Sequence, residues 1–232
     1  MNTTKSKPRR LIQSGEERNV ILLNTNIVLL LALIVIIFIM PTISTKDNFL
    51  NSILLGTIVI SGLFAADFSK AAFRILFSIG SLVLVVTALN VVFSEIRGLK
   101  ILTFLLNTLF FILVTFALVS HVARARKVYG STLLCAINSY LLIGLTLSIL
   151  AMTLDLFNPG SFSQIDPIED GFSTFVYYGF VTLSTLGYGD ITPNTEVARS
   201  LSIFTALFGQ LYLVIIMALI IGKYLKGKNT TE

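Results

Sequence analysis

Apolar residues along the chain fall into six long runs that are separated by short polar stretches. A helix needs ~20 apolar residues to cross a hydrocarbon core ~30 Å thick. Each run reaches that length except the second, which is slightly short. The pattern therefore predicts six transmembrane helices in an all-α fold. The runs cover residues 20–40, 50–66, 72–93, 99–120, 131–154 and 197–224.

A shorter apolar segment, residues 172–184, lies between the fifth and sixth runs and cannot cross a bilayer. A polar loop precedes it at residues 155–171, and a glycine-rich stretch follows it. Irregular backbone at membrane depth is tolerated only where it is buried in protein or lines a water-filled path. The segment is therefore predicted to be a short helix that enters the membrane and returns on the same side.

The composition agrees with a membrane protein. The 232 residues are 55% hydrophobic and only 12% charged, with a mean hydropathy of +0.88. Soluble domains carry about 25% charged residues. Cys135 is the single cysteine, which excludes a disulfide framework and predicts a buried, inert thiol. Residues 1–19 are polar and basic without a cleavage site, so we expect a poorly ordered cytoplasmic tail and no secretion signal.

The charges predict the orientation in the membrane. The net charge is +5, but the basic residues sit at the ends of apolar runs rather than on one face, which excludes nucleic-acid binding. Positive residues collect on the cytoplasmic side, so six crossings from a cytoplasmic N-terminus fit best. We expect a multi-pass plasma (inner) membrane protein with both termini cytoplasmic. Only four of the 17 Lys and Arg then lie outside: Lys46, Arg97, Lys100 and Arg199.

Acidic residues collect on the opposite, outer side in this arrangement. An acidic outer mouth would raise the local cation concentration. The acids on that side are Asp47, Glu95, Asp155, Asp166, Glu169, Asp170, Asp190 and Glu196.

The glycine-rich stretch at residues 185–190 carries the clearest chemistry. Gly187 and Gly189 permit unusual backbone angles that turn successive carbonyl oxygens the same way. Thr185 can add a hydroxyl oxygen below them. A bare K⁺ ion needs such a cage of oxygens to replace its hydration shell. The stretch reads Thr185, Leu186, Gly187, Tyr188, Gly189, Asp190.

Residues 131–225, less than half of the chain, resemble the two-helix pore module of the potassium channel superfamily. The resemblance implies that four chains meet around one axis as a homotetramer. It also implies that residues 172–184 are a pore helix and that the following loop is a selectivity filter. Leu186 stands where the family usually has Val. By this resemblance the K⁺ sites are formed mainly by the carbonyls of Thr185, Leu186, Gly187 and Tyr188.

The resemblance also assigns supporting and gating residues. Gly189 and Asp190 complete the filter, while Tyr177 and Tyr178 take the places of two family Trp residues that brace the filter tyrosine. Gly209 falls at the position of the hinge glycine, although close contact with a neighbouring helix is an equal alternative. An apolar ring below the hinge is expected to gate by dewetting, with plain lipid or helix contact as the alternative. Its members are Leu213, Met217 and Ile221.

The first four runs occupy the position of a voltage sensor but lack its charges. A sensor needs several arginines at every third residue of the fourth span. Residues 99–120 carry only Lys100, at the outer edge. Asn90 and Asn107, inside apolar runs, are expected to hydrogen-bond between helices. The basic cluster after the fourth run is expected to anchor the chain, with contact to anionic lipid as the alternative; it contains Arg124, Arg126 and Lys127.

Five segments follow from these patterns. They are a cytoplasmic tail (1–19), a four-helix transmembrane domain (20–122), a basic cytoplasmic linker (123–130), a pore domain (131–225) and a second tail (226–232). The predicted function is a passive, K⁺-selective channel that is not steeply voltage-gated. It is not an enzyme, and K⁺ is its permeant ion without an organic cofactor. The alternatives are a weakly selective cation channel and a non-conducting regulatory subunit. A secondary transporter has least support, because no inverted repeat is visible.

Overall fold

The structure, a computed structural model, describes residues 7–39, 48–65, 68–93, 96–125, 128–165 and 171–228. These residues are nearly all helical, which confirms the all-α prediction. We number the α-helices in chain order. They are α1 (Lys7–Ile34, continued by a π-helical turn, Val35–Ile39), α2 (Asn48–Phe64), α3 (Lys70–Val92), α4 (Arg97–Arg124), α5 (Gly130–Phe157), α6 (Phe172–Leu183) and α7 (Glu196–Lys228).

Five helices among the described residues are long and apolar enough to cross a membrane, so the chain is an integral membrane protein. The second apolar run forms α2, whose 17 residues extend over about 25 Å. That length is slightly below the thickness of a typical hydrocarbon core. Six crossings therefore remain a prediction. The five segments are Asn19–Phe38, Lys70–Val92, Ile101–Arg124, Gly130–Phe157 and Glu196–Lys223.

Three predicted boundaries change. The predicted tail at residues 1–19 is wrong for residues 7–19, because α1 begins at Lys7. The linker predicted at residues 123–130 shortens to 125–129, since α4 ends at Arg124 and α5 begins at Gly130. Arg126 and Lys127 lie outside the described residues.

The predicted acidic outer mouth is only partly visible. Asp155 belongs to α5 and is 3% exposed, so it does not lie in a solvent-facing loop as predicted. Its Oδ1 accepts a hydrogen bond of 3.0 Å from the backbone N–H of Ser161. Asp190 and Glu196 are exposed. The remaining acids lie outside the described residues: Asp47, Glu95, Asp166, Glu169 and Asp170.

Helix α5 is the centre of the chain and packs against α1, α4, α6 and α7. Its apolar stretch is 67% buried within the chain, against 22% for α7. Small residues spaced along it, among them Ala136, Ser139, Gly144, Ser148 and Ala151, let neighbouring helices approach closely. Cys135 is buried in this helix, as predicted, and its Sγ donates to the Leu118 carbonyl of α4 at 3.9 Å. Of the four N-terminal helices, α1 and α4 thus pack directly on the C-terminal half of the same chain.

Buried asparagines join the helices. The Asn138 side chain on α5 donates to the backbone carbonyl and the Oδ1 of Asn26 on α1, at 2.9 and 3.0 Å. The Asn26 amide donates in turn to the Ala65 carbonyl after α2, at 2.6 Å. Asn107 donates to Thr87 Oγ1 across α4 and α3 at 3.5 Å, which confirms its predicted role between helices. Asn90 Oδ1 has no hydrogen-bond partner among the described residues.

The far end of α7 is fastened to the end of α4. The Lys223 ammonium donates to the Val122 carbonyl at 3.1 Å and to the Ala123 carbonyl at 2.8 Å. Both carbonyls belong to the last turn of α4, where the helix leaves carbonyl groups without an intrahelical partner and concentrates negative partial charge. The link is therefore favourable both as charge-assisted hydrogen bonding and as a cap.

Candidate functional site

Two glycines set the position of α6 against α5. A Cβ on Gly179 of α6 would lie 2.0 Å from Ser148 Oγ and 3.2 Å from Ser148 Cα on α5. A Cβ on Gly144 of α5 would lie 2.6 Å from the Phe180 ring of α6. Only the absence of side chains at both positions permits this approach. The short helix is consequently held at a fixed depth between α5 and α7.

The chain folds back on α6 directly after the helix ends. The Leu186 and Gly187 N–H groups both donate to the Val181 carbonyl, at 3.0 and 3.4 Å. The Thr185 N–H donates to the Thr182 carbonyl at 3.0 Å. Because the last carbonyls of α6 accept these bonds, the N–H groups of residues 185–187 point back toward the helix. The loop is anchored through its amides, which leaves its own carbonyls unused.

The backbone of residues 185–190 alternates in conformation. Thr185, Gly187 and Gly189 have positive φ angles of 62°, 53° and 80°. Alternation of left-handed and right-handed residues turns successive peptide groups toward the same side. Thr185 is β-branched, and a left-handed residue that is not glycine costs about 1–2 kcal/mol. Such strain persists mainly at functional sites, where the surrounding structure imposes it.

The predicted ion-binding residues 185–188 form one consecutive exposed segment, which we call the row. None of the carbonyl oxygens of residues 185–188 accepts a hydrogen bond from the part of the chain that the structure describes. Leu186 is 61% exposed and Tyr188 is 68% exposed in the single chain. The row therefore presents backbone oxygens and large apolar side chains that this chain alone does not cover.

Tyr177 joins α6 to the end of the row. Its hydroxyl donates to Asp190 Oδ2 at 2.5 Å, while Asp190 Oδ1 accepts from the Ile191 N–H at 3.0 Å. The hydrogen bond from Tyr177 lowers the pKa of Asp190 below its usual value, because it favours the charged carboxylate. The Asp190 carboxylate thus holds the end of the loop through one bond to α6 and one bond to the backbone that follows it.

Within the single chain Tyr178 contacts α7 and the loop after α5, so its support of Tyr188 stays a prediction. Its hydroxyl pairs with Ser202 Oγ on α7, and its ring packs edge-on against Phe162 with a centroid distance of 4.9 Å. The side chain is 7% exposed. Tyr178 therefore positions α7 and the outer loop, while Tyr177 is the tyrosine that contacts residues 185–190.

An extended pairing outside the row escaped the sequence analysis. The Ser163 N–H donates to the Thr192 carbonyl at 2.8 Å, and the Asn194 N–H donates to the Ser161 carbonyl at 2.8 Å. The Ser163 and Thr192 hydroxyls also pair at 2.6 Å, although the residues lie 29 positions apart. The only signal in the sequence is the abundance of Ser, Thr and Asn in both segments. The pairing fixes the segment that leaves the row to the loop that follows α5.

Gly209 of α7 lies against the end of α6. A Cβ at this position would be 2.4 Å from the Leu183 carbonyl oxygen and 2.8 Å from Leu183 Cδ1. Helix α7 runs without interruption through this residue. Close contact between helices therefore accounts for the glycine, and its role as a hinge stays a prediction.

The predicted gate residues share one face of α7. Leu213, Met217 and Ile221 are 46%, 54% and 50% exposed and recur at four-residue spacing. Tyr212 and Ile216 are buried on another face of the helix, and the Tyr212 hydroxyl donates to the Ala136 carbonyl of α5 at 2.7 Å. The predicted gate residues therefore face away from the core of their own chain.

Comparison with known proteins places the similarity in the part of the chain that carries this loop. Residues 139–226 match a family model described as an ion channel. The chain is 39% identical over 56 residues to the two-pore potassium channel 3 of Arabidopsis thaliana, which covers 24% of this chain and 12% of that channel. It is 37% identical over 46 residues to a hyperpolarization-activated voltage-gated potassium channel of Methanocaldococcus jannaschii, which covers 20% of this chain and 22% of that channel. No solved structure matches.

These findings support an ion channel, parts of which are similar in sequence to potassium channels. The matched region contains most of α5 and all of α6, the loop at residues 185–190 and nearly all of α7. The chain spans less than a quarter of the length of either relative. The region that matches the family model, residues 139–226, does not include the four N-terminal helices.

Replacing Tyr177 with Phe is expected to reduce ion flux and to raise the pH at which flux is lost in acid. The lowered pKa of Asp190 means that its bond to Tyr177 stabilises the loop above the ordinary carboxyl pKa of 3.8. That stabilisation is lost as the pH falls through the lower native value. Flux into liposomes would be measured while the outer pH is lowered from about 7 to about 3. Tyr178→Phe is the control and should leave the acid midpoint unchanged; an unchanged midpoint in Tyr177→Phe would contradict the assignment.

Proposed function

We propose that the chain forms a homotetrameric, K⁺-selective channel that conducts passively across the membrane. The observation that carries the proposal is the row of carbonyls at residues 185–188, which have no hydrogen-bond donor among the described residues and follow positive φ at alternate positions. Carbonyl oxygens in such a row replace the hydration shell of K⁺. The Thr185 hydroxyl adds a further oxygen at the inner end.

A single chain supplies only one wall of such a site. Four copies around an axis would surround the ion with four rows of carbonyls. Two features support association. Leu186 and Tyr188 are exposed beside the row. Helix α7 is also the candidate span that its own chain covers least, since 22% of it is buried within the chain against 28% or more of the other four candidate spans. Large exposed apolar surfaces mark interaction sites or lipid contact. The K⁺ ion is the permeant species, and the chain has no part in an enzymatic reaction.

The inner half of the conduction path follows from α6 and α7. The C-terminal end of α6 would direct its negative partial charge at the axis and lower the cost of a cation at mid-membrane. Below it, Leu213, Met217 and Ile221 from four chains would form an apolar constriction that gates by dewetting. Gly209 would serve as the point about which α7 bends.

Gating is not steeply voltage-dependent in this proposal. Helix α4 carries its charges at its ends, with Arg97 and Lys100 at the start and Arg124 in the last turn. Moving one elementary charge across 100 mV supplies ~2.3 kcal/mol, and a sensor needs several such charges inside the span. Residues 101–120 contain none.

The proposed topology has six crossings with both termini in the cytoplasm of a plasma (inner) membrane. The distribution of Lys and Arg supports it. The cluster of Arg124, Arg126 and Lys127 would then lie at the anionic cytoplasmic leaflet and contact its headgroups.

Liposomes that contain the purified protein test the function. With K⁺ on one side and Na⁺ on the other, the reversal potential should follow the K⁺ gradient. The apparent gating charge from the open probability should stay below about one elementary charge. A reversal potential near zero would instead indicate a weakly selective cation channel. The absence of any flux would indicate a non-conducting subunit and would overturn the proposal.

A further inference from the structure

A groove of about 490 Å³ lies between the start of α3 and the end of α4, far from residues 185–190 in the chain. Its walls are apolar along most of its length. Ile75 and Leu76 line it from α3, and Leu113 and Phe116 line it from α4. Phe116 is 71% exposed and Ile75 is 59% exposed, so the apolar walls open to the outside of the chain.

The groove is polar at one end only. On α4 the lining residues run from Leu113 to Arg124, a distance of about 16 Å along the helix. His121 and Arg124 lie at the polar end, together with Ser69 from the residues before α3. The groove thus changes from apolar to basic in the direction along which a lipid changes from acyl chain to headgroup.

The polar end favours an anion for a second reason. Helix α3 begins there, and the Ala72 N–H donates to Ser69 Oγ at 3.2 Å, so its N-terminal turn and positive dipole end face the same place. Basic residues also dominate the sequence on both sides of the groove. Lys70, Arg74, Arg124, Arg126 and Lys127 occur in residues 67–74 and 121–127, against the single acid Asp67.

We propose that this groove binds one anionic phospholipid from the adjacent leaflet of the membrane. The phosphate lies at Arg124 and the start of α3, and one acyl chain follows Ile75, Leu113 and Phe116. A neutral phospholipid fills the apolar part equally well but carries no net charge for the basic end. A free phosphate matches the basic end but leaves the apolar walls exposed. The inference depends only on the four N-terminal helices and does not require that the chain conducts ions.

Native mass spectrometry of the full chain in a non-ionic detergent tests the proposal. Phosphatidylglycerol and phosphatidylcholine with identical acyl chains are titrated separately. We expect phosphatidylglycerol to bind about tenfold more tightly, since no choline offsets the charge of its phosphate at the basic end of the groove. Arg124→Gln, at an exposed position, should remove the difference while leaving the fold intact.

A matched pair of variants tests the groove itself. Ala72 lines the groove, whereas its neighbour Ala71 is exposed and does not. Ala72→Phe should fill the space and abolish binding of phosphatidylglycerol, while Ala71→Phe should leave the binding unchanged. If Ala72→Phe does not fold, the test of the proposal is whether Arg124→Gln removes the preference for phosphatidylglycerol over phosphatidylcholine.

Three results would overturn the proposal. The first is equal binding of the two phospholipids by the unchanged chain. The second is an affinity of Arg124→Gln for phosphatidylglycerol equal to that of the unchanged chain, or an equal loss of phosphatidylglycerol binding in Ala71→Phe and Ala72→Phe. The third is displacement of the lipid by an equal concentration of glycerol 3-phosphate, because that would show that the apolar walls contribute nothing.

Discussion

Replacing Gly187 with Ala is expected to abolish K⁺ flux while leaving the assembly of the proposed tetramer intact. Gly187 has a φ of +53°, and nothing in the single chain lies within 4 Å of a Cβ at that position. The added methyl group therefore meets no steric block and acts through the backbone. A left-handed alanine costs about 1–2 kcal/mol, which relaxation of φ relieves. Such relaxation rotates the neighbouring carbonyls out of the row, although the cost is small beside a folding stability of roughly 5–15 kcal/mol.

The measurement combines flux and mass. K⁺ flux into liposomes reports conduction, and the mass of the protein in detergent reports assembly. Gly98→Ala is the matched control, because Gly98 has no neighbour within 4 Å and no positive φ. Flux that persists in Gly187→Ala would show that ions do not follow the row at residues 185–188. Loss of flux in Gly98→Ala as well would show that the assay responds to any glycine substitution.

Replacing Gly179 with Ala is expected to reduce both stability and K⁺ flux, because it disturbs the packing of α6 on α5 and not the backbone of the row itself. The new Cβ would lie 2.0 Å from Ser148 Oγ and 3.2 Å from Ser148 Cα, so α6 must move away from α5. Overfilling a close contact of this kind costs about 1–3 kcal/mol. For a chain of this size we expect the thermal midpoint to fall by roughly 5 °C. We expect flux to fall as well, because the row directly follows α6 and its N–H groups bond to the last turn of that helix.

A second substitution separates this cause from general damage. Ser148→Gly removes the Oγ and Cβ atoms that the alanine would meet at 2.0 and 3.0 Å and leaves the contact with Ser148 Cα at 3.2 Å. The double variant Ser148→Gly, Gly179→Ala should recover part of the midpoint and of the flux. Ser148→Gly alone serves as the reference. A double variant that is no better than Gly179→Ala would mean that the contact between α5 and α6 does not limit the fold.

The apolar runs predicted the positions of the helices well, because a helix that crosses a membrane must be apolar over its whole length. The start of α1 was missed because residues 7–19 are polar. Their Glu, Gln and Arg residues are good helix formers, so the helix continues beyond the apolar run. Hydropathy reports where lipid is and not where a helix begins.

Parts of the candidate site were beyond sequence reasoning for geometrical reasons. Tyr177 and Tyr178 are neighbours on a helix and point about 100° apart, so only the packing of α6 decides which one reaches Asp190. The positive φ of Thr185 contradicts the preference of a β-branched residue and is imposed by its surroundings. The pairing of Ser163 with Thr192 joins segments 29 residues apart and leaves no local pattern.

Gly209 illustrates the same limit. A glycine in the middle of an apolar helix is compatible with bending and with close contact, and the sequence alone leaves both open. The Leu183 carbonyl beside it provides a sufficient steric reason for the glycine.

The two hydrogen bonds of Lys223 restrain the C-terminal part of α7 against movement relative to α4. Lys223 lies about 21 Å along the helix from Gly209, so a swing of about 10° there moves the ammonium by roughly 4 Å. A hydrogen bond does not survive that displacement. Any such swing must either break the hydrogen bonds to the Val122 and Ala123 carbonyls or move the end of α4 together with α7. The attachment to α4 would therefore oppose any bending of α7 at Gly209.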